Sequence, residues 1–266
     1  MAESRNRSIV FSKMSGHGND FIVIDNHSGD ITANWSERAS VWCKHRSSIG
    51  ADGLLIIEPS KVADFRLRIF QADGSEAEMC GNGARCAAGF ATKKRFAKSR
   101  MVMETEAGMV GAFVKGEMVA IQLTNPSSPE DKRFLEIDDK RIPFYSINSG
   151  VPHAIIFRDR VAEMPADELV KTGSAVRFHP AFEPAGTNAD FVEIIEPGHI
   201  RVRTYERGVE GETLACGTGA VASSIISSRF KGAGDPPIQV EMPGGILTVD
   251  LKIGMVPLRM YGSRER

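Results

Sequence analysis

The chain has no Cys-x-x-Cys pair, no surplus of either charge and no long apolar run, and each absence removes a class of function. Its four cysteines, Cys43, Cys80, Cys86 and Cys216, are spaced wrongly for a structural zinc site, and a chain of 266 residues has no need of a disulfide framework. Lys and Arg total 33 against 34 Asp and Glu, a net charge of -1, so neither nucleic acid nor an anionic membrane is expected as a partner. The opening Met1-Ala2-Glu3-Ser4-Arg5-Asn6-Arg7 is polar and lacks an apolar signal core. No stretch reaches the roughly 20 apolar residues of a spanning helix. Thiols without disulfide partners fit a reducing compartment, so the expected setting is cytoplasmic.

What the sequence does have is one motif written twice. Met79-Cys80-Gly81-Asn82-Gly83-Ala84 is echoed by Ala215-Cys216-Gly217-Thr218-Gly219-Ala220, and a Glu stands four residues before each Cys, Glu76 and Glu212. In both, a strand-like segment precedes the Cys and a helix-like run follows. A helix N-terminus offers unpaired N–H groups and partial positive charge, which favour a thiolate, and flanking Gly lets a ligand approach the backbone. A turn that happens to bury a Cys accounts for one such motif; it does not account for two.

Around the motifs, the first half reads as strands at 9–14, 21–25, 54–58, 65–71, 101–104, 110–114 and 118–123, with a short amphipathic helix over 35–45 and a longer one over 82–97. The Pro- and Ser-rich stretch Asn125–Asp131 reads as a linker. The second half repeats the first at offsets of 134 to 138 residues. Ser12–Gly16 matches Ser146–Gly150, Ala51-Asp52 matches Ala189-Asp190, and Ile56–Pro59 matches Ile194–Pro197. Phe65–Gln71 matches Ile200–Glu206, Cys80 matches Cys216, and Met118-Val119 matches Met255-Val256. Six matched segments in one order, at five closely spaced offsets, predict two homologous α+β domains, an N-terminal repeat over 9–126 and a C-terminal repeat over 132–262, each a strand-rich sheet or barrel around one central helix.

A pseudo-twofold pair of domains would set Cys80 and Cys216 facing each other across the cleft between them. Two acid/base groups on opposite faces of one carbon suit inversion: one removes a proton and the other returns a proton to the far face. One must rest as thiolate and the other as thiol. A papain-like thiol needs one Cys with a His and does not explain duplication. Cys43 and Cys86, which have no place in that scheme, read as structural.

At these residues the chain resembles the diaminopimelate epimerases, over nearly its full length. The resemblance is carried by Lys13-Met14, Gly18-Asn19-Asp20-Phe21, Ile49-Gly50-Ala51-Asp52-Gly53, Ala72-Asp73-Gly74-Ser75, Cys80–Cys86, Pro152-His153, Thr187-Asn188, Glu206-Arg207-Gly208, and Glu212-Thr213 leading to Cys216. It implies a cofactor-independent enzyme, without pyridoxal phosphate or metal, that inverts one α-carbon of LL-2,6-diaminoheptanedioate to give the meso isomer, often as a homodimer. By the same resemblance Cys80 and Cys216 are the acid/base pair, and Gly81-Asn82 and Gly217-Thr218 bind the reacting carboxylate. Asn19, Gln71 and Asn188 contact substrate, Glu206 meets an ammonium, and Arg207 takes the distal carboxylate with its planar fork. His153 and Glu206 are the candidates for tuning the thiols. Two positions depart from the family pattern: Gln71 where Asn is common, and Val151 where Asn often precedes Pro-His. The alternatives are a two-cysteine racemase of proline, hydroxyproline or histidine type, against which Arg207 with Asn188 argues, and a non-catalytic binding protein, which would need no thiol pair.

Overall fold

The structure is a computed structural model that describes residues 8–122, 125–250 and 259–263, the last segment in its backbone. The polar opening at residues 1–7, Leu123 at the end of one expected strand, and Met255-Val256 lie outside the described residues. The chain forms two compact units that divide between Val119 and Ala120.

In the first unit, β1 (Phe11–Gly16) and β2 (Asn19–Asp25) form an antiparallel hairpin in which Gly16 faces Asn19. That leaves His17-Gly18 as a two-residue loop, and both have positive φ, the geometry that matches the twist of the flanking strands. The helix α1 (Trp35–Trp42) then crosses to β3 (Gly53–Glu58), which pairs parallel with β2. β3 pairs antiparallel with β4 (Phe65–Gln71), which carries the short β5 (Glu76–Ala77). A second crossover, α2 (Gly81–Lys94), leads to β6 (Arg100–Thr105), parallel to β4 and antiparallel to β7 (Gly108–Lys115). The two parallel pairs explain the two helices, because parallel neighbours need a long crossover between them. β8 (Met118–Gln122) spans the division between the units.

β3, Gly-Leu-Leu-Ile-Ile-Glu, is buried along nearly its whole length, as a strand covered on both faces must be. Its alternation divides the labour. Leu54 and Ile56 join Ile22, Ile24, Phe70 and the α1 residues Trp35 and Ala39 in one core. Leu55 faces the other way: a Cβ on Gly83 of α2 would stand 3.1 Å from its Cδ2. Every residue of α2 from Asn82 to Ala91 is buried. The helix stops three residues before the expected 97, because Arg95 takes a left-handed cap conformation.

The second unit opens with β9 (Arg133–Ile137), antiparallel to β10 (Lys140–Asn148), which pairs antiparallel with β11 (Pro152–Phe157). The helix α3 (Ala166–Arg177) crosses to β12 (Asn188–Glu196), parallel to β11. β12 pairs antiparallel with β13 (His199–Glu206), which carries β14 (Gly211–Thr213). α4 (Gly217–Lys231) leads to β15 (Ile238–Met242), parallel to β13 and antiparallel to β16 (Gly245–Asp250), and β17 (Arg259–Ser263) follows. The pairings thus run in the same order and sense in both units. α3 stands where α1 does, so each unit has two crossover helices; the sequence pattern shows both in the first half, over 35–45 and 82–97, but does not disclose α3.

The ladders also correct the sequence register. Phe70 faces Glu76 and Leu54, while Tyr205 faces Glu212 and Ala189. Leu54 is therefore the counterpart of Ala189, and Glu58, opposite Arg66, is the counterpart of Glu193, opposite Arg201. The apparent matches of Ala51-Asp52 to Ala189-Asp190 and of Ile56–Pro59 to Ile194–Pro197 slip by three residues. β12 breaks its register between Ile194 and Glu196, so the second match falls at an irregularity of the ladder. The expected linker is also more than a spacer. Ser127 N–H donates to Asn148 O at 2.8 Å and Glu130 N–H to Ser146 O at 2.9 Å, stitching the segment along β10.

α3 packs closely on the sheet because Gly173 carries no side chain: an added Cβ would lie 2.4 Å from the Cβ of Tyr205. Alanine is worth about 1 kcal/mol more than glycine as a helix former, but overpacking a filled core costs about 1–3 kcal/mol. Gly173→Ala is therefore expected to lower the urea midpoint. An unchanged or higher midpoint would show that α3 lifts from Tyr205 at no cost.

Candidate active site

Both repeated cysteines are helix N-caps. Cys80 and Cys216 have extended backbone conformations, and each Sγ accepts the N–H of the third helical residue, Gly83 and Gly219, at 3.4 Å. The sulfur occupies the place a Ser or Asp oxygen takes at an ordinary N-cap. The N–H groups ahead of it, on Gly81 and Asn82 and on Gly217 and Thr218, belong to the first turn, which an α-helix leaves without internal partners. The paired glutamates have a different task. Glu76 takes a two-pronged bond from Arg68 at 2.7 and 2.8 Å, and Glu212 takes one from Arg203 at 2.6 and 2.7 Å. Each pair clasps the short strand that delivers the Cys.

Around Cys80 the polar groups form a chain fixed at both ends. Asp52, an acceptor only, takes Asn19 Nδ2 at 3.1 Å; Asn19 Oδ1 takes Asn82 Nδ2 at 2.7 Å; Asn82 Oδ1 takes Arg85 Nη2, which also reaches His17 Nδ1 at 2.9 Å. Carboxylate and guanidinium have no ambiguous atoms, so both amide orientations follow. Arg85 is 4% exposed, and burial holds its pKa down at about 10, offset by attraction to Cys86 and Cys80. Asp20 and Asp52 also accept each other's backbone N–H, and Lys13 reaches Asp20 at 2.6 Å. These two carboxylates come near His45, but their oxygens are already engaged in holding the ends of β2 and β3.

Around Cys216 the charged neighbours are carboxyls. Its Sγ lies 3.4 Å from Thr218 Oγ1, which lies 2.9 Å from His153 Nε2. His153 Nδ1 is 2.6 Å from Asp190 Oδ2, and Thr204 donates to Asp190 Oδ1 at 2.7 Å. His153 and Asp190 are fully buried. They reach α4 because Ala154, Ala189 and Phe191, their strand neighbours, point into the α3 core. Gly219 lets them approach: a Cβ there would sit 2.6 Å from Asp190 Oδ1. Burial pushes the Cys216 thiol well above its ordinary value, and Glu206 and Asp190 push it further, while Thr218 and the Gly219 N–H pull it down. The helix terminus favours the thiolate, as the sequence suggests, but burial and two carboxyls outweigh it.

The other expected residues sort themselves around these centres. Asn188 is buried, accepting Arg207 N–H at 2.7 Å and turning its Nδ2 to His153 Nε2 at 3.3 Å. Glu206 ends β13, and burial raises its carboxyl, opposed by Thr213 and His153. The Arg207 side chain donates to Ala185 O at 3.0 Å. Gln71 is exposed at the end of β4, where its backbone closes the turn to Ser75. Val151 lies in the β10–β11 turn, its carbonyl taking Ser149 N–H at 3.2 Å, and Ser149 Oγ donates to Thr218 O at 2.8 Å. Cys43 and Cys86 are buried, and burial pushes the Cys43 thiol up to about 11. Arg85, His17, Asp190 and Thr204 received no role from the sequence. Arg85 had a visible signal, a lone charge within the small-residue run Gly83–Ala91; the others are set by folding.

The sequence profile of the diaminopimelate epimerases matches residues 11–127 and 145–261. The chain belongs to the diaminopimelate epimerase family. The family's member from Aquifex aeolicus is 40% identical over 265 residues, covering 95% of this chain and 94% of that one. Those of Carboxydothermus hydrogenoformans and Archaeoglobus fulgidus are 39% and 37% identical over about nine-tenths of each chain. Among solved structures, a PhzF-family phenazine biosynthesis protein of Bacillus anthracis superposes with a TM-score of 0.73 at 16% identity, covering 97% of this chain and 96% of that one. A hydroxyproline epimerase of Agrobacterium vitis gives 0.71 at 16%, covering 98% and 91%. Those two likenesses establish the α+β fold that the epimerase family shares with them.

The raised carboxyl of Glu206 has a consequence for stability. The folded chain holds the Glu206 proton more tightly than the unfolded chain, so this group's contribution declines as pH rises from the ordinary carboxyl value through the folded one. Each unit of displacement corresponds to about 1.4 kcal/mol. Glu206→Gln is expected to gain stability over the parent as pH rises above the ordinary carboxyl value in urea titrations. A difference that does not change with pH would show that Glu206 titrates as an ordinary carboxyl.

Proposed function

We propose that the protein inverts one α-carbon of LL-2,6-diaminoheptanedioate to give meso-diaminoheptanedioate with two protein thiols and no cofactor, in lysine and peptidoglycan precursor synthesis. The observation that carries this reading is the Cys-capped helix, present once in each unit of a diaminopimelate epimerase chain, with the same cap geometry both times. One thiolate takes the α-proton. The electron pair of the broken C–H bond passes into the α-carboxylate as enolate-like charge, and the N–H groups of Gly81-Asn82 and Gly217-Thr218 stabilise it. The other thiol gives its proton to the opposite face. Burial and the neighbouring carboxyls favour Cys216 as the resting thiol, which makes Cys80 the base in that direction; in the reverse direction the roles exchange. A reducing, cytoplasmic setting keeps both thiols free, and a homodimer is part of the same reading.

Glu206 and Arg207 serve the far end of the substrate, Glu206 its ammonium and Arg207 its distal carboxylate. Adjacent strand residues start on opposite faces. Gly208, with φ +91°, turns the chain directly after them and lets both address one ligand. Asn19, Asn82 and Asn188 each keep a second amide hydrogen beyond the bonds described. Gln71 retains the amide of the family's asparagine at one methylene greater reach.

The deciding experiment is α-proton exchange in D2O with LL-diaminopimelate. Cys80→Ala and Cys216→Ala are each expected to abolish epimerisation while leaving the circular dichroism unchanged; near-normal turnover in either variant ends the two-base mechanism. Arg207→Ala should cost about 2–5 kcal/mol in kcat/KM for this substrate, as when a buried charge loses its partner, and Arg207→Lys should recover only part of it. A loss under about threefold, below 1 kcal/mol, would remove Arg207 from the substrate site.

A further inference from the structure

The geometry points to a proton relay from Cys216 through the Thr218 hydroxyl to His153, with Asp190 as the positioning residue that holds His153 in its Nδ1–H form. The inference rests on reading Cys216 as one of the two acid/base thiols. Its first support is that the His153 tautomer can be deduced. Arg207 N–H is a donor only and lies 2.7 Å from Asn188 Oδ1, so the other end of that amide, an NH2, faces His153 Nε2 at 3.3 Å. The Thr218 hydroxyl approaches the same nitrogen at 2.9 Å. The Asn188 NH2 is a donor only, which makes Nε2 an acceptor, and the Thr218 hydroxyl, free to rotate, then donates to it. The ring proton is therefore on Nδ1, 2.6 Å from the buried Asp190 carboxylate, whose second oxygen is held by Thr204.

With His153 fixed this way, Thr218 donates to the ring and its oxygen stands 3.4 Å from Cys216 Sγ, ready to accept the S–H. The step balances without any outside reagent. The Thr218 proton moves to His153 Nε2, the Cys216 proton moves to Thr218 Oγ1, and the net products are a thiolate and an imidazolium. Asp190 stabilises the imidazolium through Nδ1–H; reversal restores the start. The groups facing His153 are Asp190 and Asn188 on β12, Glu206 on β13, and Thr218 and Cys216 at the head of α4. A buried thiol opposed by Glu206 needs such an outlet. When Cys216 holds the proton and must act as the base, the relay gives that proton a place on His153 within the unit.

Two measurements on the full-length protein test the relay. In long-range 1H–15N spectra of histidine-labelled protein, with His153 assigned by its loss in His153→Gln, the ring should carry its proton on Nδ1 and leave Nε2 bare at pH 8. A protonated Nε2 overturns the relay. The second reads the iodoacetamide rate at Cys216 by peptide mapping. Asp190 is one of the charges that raise this thiol, so by Coulomb repulsion alone Asp190→Asn would speed alkylation. The relay predicts the opposite sign, a slowing of about tenfold, equivalent to one unit of thiol pKa. Thr218→Val should match it, and Thr218→Ser should stay within about threefold of the parent. Faster or unchanged alkylation in Asp190→Asn overturns the proposal, and if that variant does not fold the tautomer measurement decides alone. The readouts are independent of turnover: an active Cys216→Ala enzyme ends the two-base reading without touching them, and an Nε2–H His153 ends the relay while leaving two-base chemistry in place.

Discussion

A sulfur can cap a helix usefully only if the helix cannot shift, and burial supplies that constraint in both units. From Asn82 to Ala91 every residue of α2 is buried, and α4 is buried over most of the same stretch. A helix enclosed on all sides cannot rotate without dragging core side chains off their partners. Its first residue is fixed as well, by the Arg68–Glu76 and Arg203–Glu212 clasps on the strands that lead to each Cys. The N–H of Gly83 or Gly219 therefore meets sulfur at the same distance in both copies. The exposed ion pairs elsewhere contribute little by comparison, since such pairs are worth about 0–1 kcal/mol.

On this duplicated frame the two thiols have acquired opposite surroundings. A buried guanidinium, Arg85, lies in the shell of Cys80, whereas Cys216 shares its shell with Asp190 and Glu206. Coulomb interactions across poorly screened distances are large enough for such neighbours to set a thiol's ionisation. The repeat thus supplies matched geometry, and a few substitutions at unmatched positions supply the difference in neighbouring charge. The register shows how free those positions are. Asp190 occupies the ladder position of Leu55, a core residue that touches Gly83. A buried aliphatic side chain in one repeat is a buried carboxylate in the other, aimed at the same face of the equivalent helix.

That exchange also explains what the sequence could and could not disclose. The Cys-Gly-x-Gly motifs were legible because the cap needs a short chain of local residues in fixed order. The strands of the first half were legible because β3 and β4 carry their burial in their composition. The β3–β12 register was not, because Ala-Asp and Ile-Ile-Glu-Pro recur by composition three residues away from their ladder partners, and only cross-strand pairing arbitrates. Nor was α3 anticipated as the counterpart of α1, because the parallel pairing of β11 with β12 that demands it cannot be read locally. Arg85 was present in the motif as a letter, but its buried contacts with His17 and Asn82 require the β1–β2 turn to return over the helix.

The hydrogen bonds of Asn188 tie the two ends of the proposed site together. Arg207 serves the structure twice, through different atoms: its guanidinium reaches Ala185 O and its backbone N–H holds Asn188 Oδ1. Asn188 then faces His153, and His153 faces Thr218 beside Cys216. A side-chain substitution at Arg207 leaves the backbone bond in place, so the guanidinium can be changed without releasing the histidine. A change in the backbone path at Gly208, whose positive φ follows directly, would disturb both at once. The Arg207 guanidinium and the orientation of the groups beside Cys216 are therefore separable by side chain and coupled by backbone. A substitution at Arg207 therefore tests the guanidinium alone while the path of the main chain from Glu206 to Gly208 is held.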